Sequence, residues 1–316
     1  MTRSFAYATL ALCACAAAAV TAQEPVFRAT GQIVRVFVTA TGGDGRLVTD
    51  LTQAEFQVRD DGRPQPIAVF DNSPKPIQLI ALLDVSGSMY GNLPLLRSAT
   101  EQLASRLGPD DVARLGTFGN DVVIGPAFTR DRGELLAALP TEIDERAPTP
   151  LWRAVDQAMN AFDQNSERRP VVLVFSDGQD SGLTSFTQKF ISTADVMDRA
   201  RRDEVMVYAI GMRARRNQPR QIGLGADGLR AALNQDLPDP GLARVAEETG
   251  GGYTEIRYGD NLGQEVARVL DELHSQYLLG YEPPKRDGKR HKIEVRVTRD
   301  NVKPRARKNY MAPNER

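Results

Sequence analysis

Hydrophobic and polar positions divide this chain into three stretches with different periods. Between residues 26 and 73 apolar side chains recur every second position: QIVRVFVTA at 32–40, FQVRDDG at 56–62 and IAVF at 67–70. Alternation of this kind predicts half-buried strands, and GGDG at 42–45 and DDG at 60–62 supply turns between them. Only the stretch 52–56 reads as a short helical turn.

From about residue 76 to 275 the pattern changes. Short apolar runs expected as strands lie near 77–84, 111–118, 121–125, 170–176, 204–211 and 252–256, and segments of helical period lie near 90–107, 131–139, 150–163, 190–202, 240–249 and 260–275. Strands alternating with helices predict a mostly parallel sheet covered on both faces. Residues 213–239, rich in Arg and Gly, interrupt the alternation and read as a long loop with one short helix at 227–234. Strand-like alternation returns at 277–281 and 291–297, and 302–310 reads as an edge strand that tolerates Pro304. Neither flank has strands enough for a stable sheet alone. The two are therefore expected to pair into one β-sandwich with the α/β unit inserted between them.

The first residues change the picture of where the chain resides. Arg3, an apolar segment of about 15 residues and the small-residue ending VTA at 20–22 read as a secretory signal, too short and Ala-rich for a membrane span. Cleavage after Ala22 would remove both cysteines, Cys13 and Cys15, leaving no thiol for a disulfide. The alternative is lipidation at Cys15 in a poor lipoprotein box, where Cys13 is an odd occupant. The expected organisation is a signal peptide at 1–22, an N-terminal β segment at 23–75, the α/β domain at 76–275 and a C-terminal β segment at 276–316. The product is expected to be periplasmic or extracellular, with envelope association.

Composition is that of a soluble globular protein, 41% hydrophobic and 26% charged. Loss of Arg3 with the signal takes the formal charge from −1 to −2, which argues against a nucleic-acid partner. Residues 284–316 are nonetheless basic, and a second basic group runs from Arg199 to Arg220. Both read as solvated faces and strand-edge charge, with an anionic envelope surface as the sharper alternative.

Candidate chemistry concentrates at the end of the first strand of the α/β unit. The run ALLDVSGSMY at 81–90 delivers Asp84, Ser86 and Ser88 within five residues, with Gly87 permitting a tight turn. One carboxylate and two hydroxyls form a cluster of hard oxygen donors suited to Mg²⁺ or Mn²⁺. The pattern resembles the Asp-x-Ser-x-Ser opening of the metal-ion-dependent adhesion site of von Willebrand factor A domains. The resemblance extends to Thr149, in APTP before a helix, and to Asp177, where VVLVF at 171–175 runs into Ser-Asp-Gly. It implies a Rossmann-like domain whose metal site comprises Asp84, Ser86, Ser88, Thr149 and Asp177. Ser86, Ser88 and either Thr149 or Asp177 would bind directly, the others partly through water. The implied cofactor is Mg²⁺, with Mn²⁺ or Ca²⁺ as alternatives. The implied partner is a protein presenting an Asp or Glu to the open coordination position.

The whole layout is also similar to a bacterial group of exported von Willebrand A-related proteins frequent in acidobacteria, through LTxxxFxVxDDGxPQPI, DVSGSM, SDGQDSG and YLLGYEPP followed by KIEVRV and RARKNY. That likeness adds little about activity.

An enzyme is not expected. Ser86 stands where aspartyl-phosphate phosphatases carry a second acid, and no Gly-x-Ser-x-Gly elbow, phosphate loop, zinc set or dinucleotide fingerprint is present. The two histidines, His274 and His291, read as surface residues. Asp180 and Asp121 read as turn formers, Trp152 as a packing residue and Gly250 as a helix C-cap. The competing reading is a structural envelope module whose metal site only stabilises, with binding through the β-sandwich or the basic tail.

Overall fold

The computed structural model describes residues 33–163, 165–182, 190–213, 238–257 and 260–314. The expected signal, the lipobox alternative and the helix expected at 227–234 lie outside them.

The six-stranded sheet of the α/β unit owes its order to strands that are apolar on both sides. β5 (Ile77–Asp84) is buried at every position, and β8 (Arg169–Ser176) and β9 (Met206–Met212) nearly so. Such strands belong in the middle of a sheet with helices on both faces. The order is β10-β9-β8-β5-β6-β7, with β6 (Val112–Phe118), β7 (Val122–Ile124) and β10 (Tyr253–Ile256) outside them. Every pairing is parallel except the β6–β7 hairpin at the edge.

Alternate residues of β5 serve opposite cores. Leu79, Ala81 and Leu83 pack with α1 (Leu93–Arg106) and α6 (Leu262–His274) through Leu96, Leu103, Val266 and Leu270. Ile80 and Leu82 pack with α3 (Leu151–Asn160), α4 (Thr193–Arg202) and α5 (Pro240–Thr249) through Val155, Met159, Val196 and Val245. Short α2 (Arg132–Ala137) lies on the first side, contributing Leu135. Trp152 is buried in the second core, where a Cβ on Gly241 of α5 would come within 2.5 Å of its ring.

The terminal strands build two further four-stranded sheets. One has the order β13-β1-β11-β4 and the other β14-β12-β2-β3. Their N-terminal members are β1 (Val34–Gly42), β2 (Phe56–Asp60), β3 (Arg63–Gln65) and β4 (Val69–Asp71). Their C-terminal members are β11 (Tyr277–Tyr281), β12 (Arg290–Val297), β13 (Val302–Arg305) and β14 (Asn309–Met311). Inward-facing Val36, Val38, Phe56, Val58, Tyr277, Leu279, Ile293 and Tyr310 share one core, so the two sheets form a sandwich. The α/β unit leaves it after β4 and returns at β11, two strands that pair with each other.

Two expectations change. The segment 302–310 is not one strand: it splits at residues 306–308, so that β13 pairs with β1 while β14 crosses to pair with β12. Pro304 sits on β13, an edge strand, where its missing N–H is harmless. The histidines are not free surface groups. His291 is only 3% exposed, and half-buried His274 sits 2.7 Å from the Asp111 carboxylate through Nε2.

Candidate metal centre

β5 ends where its hydrogen-bonding to the neighbouring strands ends, so Asp84 emerges at the C-terminal edge of the sheet, the edge where open α/β folds bind ligands. The carboxylate is fully buried and its two oxygens are already used. Oδ1 accepts from the Ser86 backbone N–H at 2.9 Å, which folds the chain back on itself, and Oδ2 accepts from the Ser176 hydroxyl. A 3-10 turn at Gly87–Met89 follows and lifts Ser88 into the open. Ser86 Oγ and Ser88 Oγ are 3.1 Å apart, and Ser88 Oγ donates to Asp177 Oδ1 at 2.7 Å.

Asp177 follows the last residue of β8, the strand beside β5, and is 2% exposed. Thr149 arrives from the other side, on the loop before α3. Gly87 N–H donates to Ala147 O at 2.9 Å, docking this loop on the Ser86–Ser88 turn. Thr149 N–H donates to Ser181 Oγ at 2.7 Å while Ser181 N–H donates to Thr149 O at 2.9 Å, tying the loop to the segment after Asp177. The Thr149 hydroxyl lies against Gly178, where a Cβ would come within 3.2 Å of it.

The structure therefore brings Asp84, Ser86, Ser88 and Asp177 into one hydrogen-bonded cluster and sets Thr149 at its margin. Sequence reasoning missed three supporting residues, Ser176, Ser181 and Asp239, and read a fourth, Asp180, as a turn former. Ser176 holds Asp84 from the adjacent strand. Ser181 positions Thr149. Asp180 accepts from Gly182 N–H at 3.0 Å, as a turn former should, and also from Trp152 N–H at 3.3 Å at the start of α3, where Pro150 cannot cap. Asp239 accepts from Asp180 N–H at 3.1 Å and donates its own N–H to Gly178 O at 3.3 Å. The dipeptide Ser176-Asp177 was the one signal available for the first of these. Asp239 had none beyond its place before Pro240, as a helix cap.

Electrostatics set the chemistry. Burial, and then the charge of Asp177, push the Asp84 carboxyl up to about 7. Burial likewise raises Asp177, against the hydrogen bond from Ser88. Among the described residues no lysine or arginine forms an ion pair with either one. Two buried carboxylates facing each other without a counter-charge disfavour ionisation of both. With three hydroxyls beside them they form an all-oxygen set, the donor chemistry of a hard divalent cation. The residues present thus fit such an ion.

Comparison with known proteins yields a family and several distant structural neighbours. No curated protein matches the chain. Among solved structures it is similar to a von Willebrand factor type A protein from Catenulispora acidiphila at 10% identity and a TM-score of 0.48, over 92% of this chain and 76% of that one. It is also similar to proximal thread matrix protein 1 from the mussel byssus, with a zinc-occupied metal-ion-dependent adhesion site, at 16% identity and a TM-score of 0.47, over 69% of this chain and 50% of the other. An aerotolerance-related membrane protein from Bacteroides fragilis aligns at 15% identity and a TM-score of 0.44, over 62% of this chain and 98% of its own. The model of the von Willebrand factor type A domain matches residues 78–236, half of the chain, and this protein belongs to that family.

Proposed function

We propose that this chain is an exported protein-binding module whose partner docks through a divalent ion held by Asp84, Ser86, Ser88, Thr149 and Asp177. The observation that carries this reading is the convergence of two buried carboxylates and their neighbouring hydroxyls at the sheet crest without a basic counter-charge. Mg²⁺ is the ion such oxygens suit best; when bound it would supply a Lewis-acidic position for one more oxygen ligand. The protein's own residues do the rest. Asp84 and Asp177 would offset most of a bound dication's charge, and the neutral hydroxyls would leave it able to attract an Asp or Glu side chain from the partner. Ser176 and Ser181 hold the donors in place.

Two further observations favour this reading over binding through the C-terminal tail or hydrolysis. Four of the tail's basic residues are engaged by acids elsewhere in the molecule: Arg299 pairs with Asp50 and Glu55, Arg305 with Glu272, Arg307 with Glu204 and Lys308 with Glu247. Each histidine is committed to aspartates away from the crest, so neither serves Ser86 or Ser88 as a base.

Titration of Mg²⁺ and Mn²⁺ into the wild-type chain and a Ser86→Ala, Ser88→Ala variant, followed by capture from an envelope extract with and without EDTA, tests the proposal. Metal binding lost in the variant, together with an EDTA-reversible partner, is the expected result. Equal metal uptake by both proteins, or capture indifferent to EDTA, would overturn it.

A further inference from the structure

A second set of ligating side chains lies in the β-sandwich, apart from the crest. Asp60 ends β2, Asp61 follows in the turn to β3 with φ +47°, and His291 lies on β12, the strand paired with β2. The register that sets Ile293 opposite Asp60 carries His291 over this turn, facing inward like Ile293. Its Nδ1 is 2.9 Å from Asp60 Oδ1 and 3.3 Å from Asp61 Oδ2. Its Nε2 is 3.1 Å from Asp287 Oδ1.

Charge at this place does not balance. Asp60 and His291 are buried, and three carboxylates surround a single imidazole. Among the described residues no lysine or arginine forms an ion pair with Asp60, Asp61 or Asp287. With Lys289 beside Asp287, even a doubly protonated His291 leaves the Asp60–Asp61 pair with one negative charge in excess.

Geometry points the same way. Ligand bonds of about 2.0–2.1 Å in a tetrahedral zinc site place donor atoms about 3.3 Å apart. The three donor atoms of Asp60, Asp61 and His291 lie within 4.8 Å of one another; the Nδ1–Asp61 separation of 3.3 Å matches the tetrahedral value and the Nδ1–Asp60 separation of 2.9 Å is somewhat shorter. The surroundings resemble the outer shell of a metal site: a carboxylate on the far imidazole nitrogen fixes the ring. Asp287 occupies that position. The hydroxyls of Tyr281 and Tyr310 donate to Asp60 Oδ2 at 3.0 and 2.7 Å and hold that carboxylate. Asp61, half exposed, leaves a path from solvent.

We propose that Asp60, Asp61 and His291 bind a Zn²⁺ ion, with water as fourth ligand. One imidazole among the donors favours zinc over Mg²⁺, which seeks an all-oxygen shell. The ion fastens the N-terminal arm of the sandwich to its C-terminal arm, joining residues 231 positions apart around the inserted α/β unit. No disulfide is available for that task, because the only cysteines are Cys13 and Cys15.

Zinc titration of the full chain against a chromophoric chelator, repeated in the Ser86→Ala, Ser88→Ala background, separates this site from the crest. That background should retain one zinc equivalent and gain several degrees in Tm on zinc addition. Asp61→Asn, which keeps a residue type tolerant of the left-handed turn, should weaken this binding at least 10-fold with the circular dichroism spectrum unchanged. Asp287→Asn, acting through the ring, should weaken it about 10- to 100-fold. Mg²⁺ binding should persist in Asp61→Asn, so failure at the crest and failure here are told apart. If zinc uptake disappears with Ser86 and Ser88, or ignores Asp61→Asn, the proposal is wrong.

Discussion

A Cβ on Gly87 would lie 2.0 Å from the carbonyl oxygen of Glu145, closer than any side chain can tolerate against backbone. Gly87→Ala must therefore push away the loop at 145–149 that carries Thr149. An overpacking cost of about 1–3 kcal/mol is expected, together with at least a 10-fold loss in Mg²⁺ affinity. Denaturant midpoints and calorimetric titration measure the two effects separately. Far from the crest, Asp111 shows how one buried carboxylate organises backbone: it accepts from Ile77 N–H at 2.9 Å and Gly108 N–H at 2.6 Å, besides facing His274. Against the cost of burial, the His274 hydrogen bond and these N–H donors hold its carboxyl below the ordinary value of 3.8. The folded pKa lies below the unfolded one, so this group's stabilisation is complete above the unfolded value and is lost as pH falls through the folded one. Asp111→Ala should cost about 2–4 kcal/mol near neutral pH, as two buried N–H groups lose their acceptor. The gap between variant and wild type should hold constant above about pH 5 and narrow below the ordinary aspartate value, in urea titrations run across that range. At this scale the polar strand ends Asp84 and Asp177 were legible, because an apolar run that ends in carboxylate and hydroxyl is conspicuous. Their supports were not. Ser176, Ser181 and Asp239 act through contacts that only the folded chain creates.

Elements that draw their identity from local pattern were the easiest to read. β5 and β8 fall where unbroken apolar runs place them, and α3 and α5 follow their apolar stripes to within a few residues. α1 begins at Leu93 rather than at 90, after the 3-10 turn at the crest, with Pro94 in its first turn where no N–H is required. Three-residue β3 escaped notice because its pairing to β2, not its composition, makes it a strand. The same holds for the break between β13 and β14. That break depends on two different sheets competing for one segment, which no local period encodes. α4 gives an element whose start is written in sequence and can be tested by itself. Ser192 accepts from Asp195 N–H at 3.2 Å, and the Asp195 side chain accepts from Ser192 N–H at 2.9 Å, a reciprocal cap on an exposed helix end. Ser192→Ala should lower stability by about 1 kcal/mol and leave Mg²⁺ affinity unchanged, since the proposed metal donors come from other elements. A thermal melt and a metal titration on the same sample give both values.

The molecule as a whole depends on how the α/β unit is joined to the sandwich, and the join is polar as well as apolar. At the N-terminal end of β8, opposite the crest, Arg169 stacks over Phe37 of β1 at 4.2 Å and donates to Leu273 O at 3.0 Å and to Gln276. Burial pulls this guanidinium down to about 10. Gln276, 3% exposed between α6 and β11, donates in turn to Thr39 Oγ1 at 2.8 Å and to the Tyr208 hydroxyl at 3.1 Å. Glu272 accepts from Thr39 at 3.1 Å and also binds Tyr208 and Arg305, so β1, β8, β9, α6 and β13 meet in one buried network. A network of this kind makes each unit's stability conditional on the other, because opening either one strands buried polar groups in the other. Unfolding should therefore be a single transition for the two units. Trp152, the only tryptophan, reports on the α/β unit, while amide exchange along β1, β2 and β12 reports on the sandwich. Their midpoints in urea should coincide in the wild type. Gln276→Ala removes the central member and leaves Arg169, Thr39 and Tyr208 each short of a partner, which should cost about 3 kcal/mol or more. If the coupling is as described, both midpoints fall together in this variant. A sandwich that opens at lower urea than the Trp152 signal in the wild type would mean that the two units fold independently and that the network only decorates their contact.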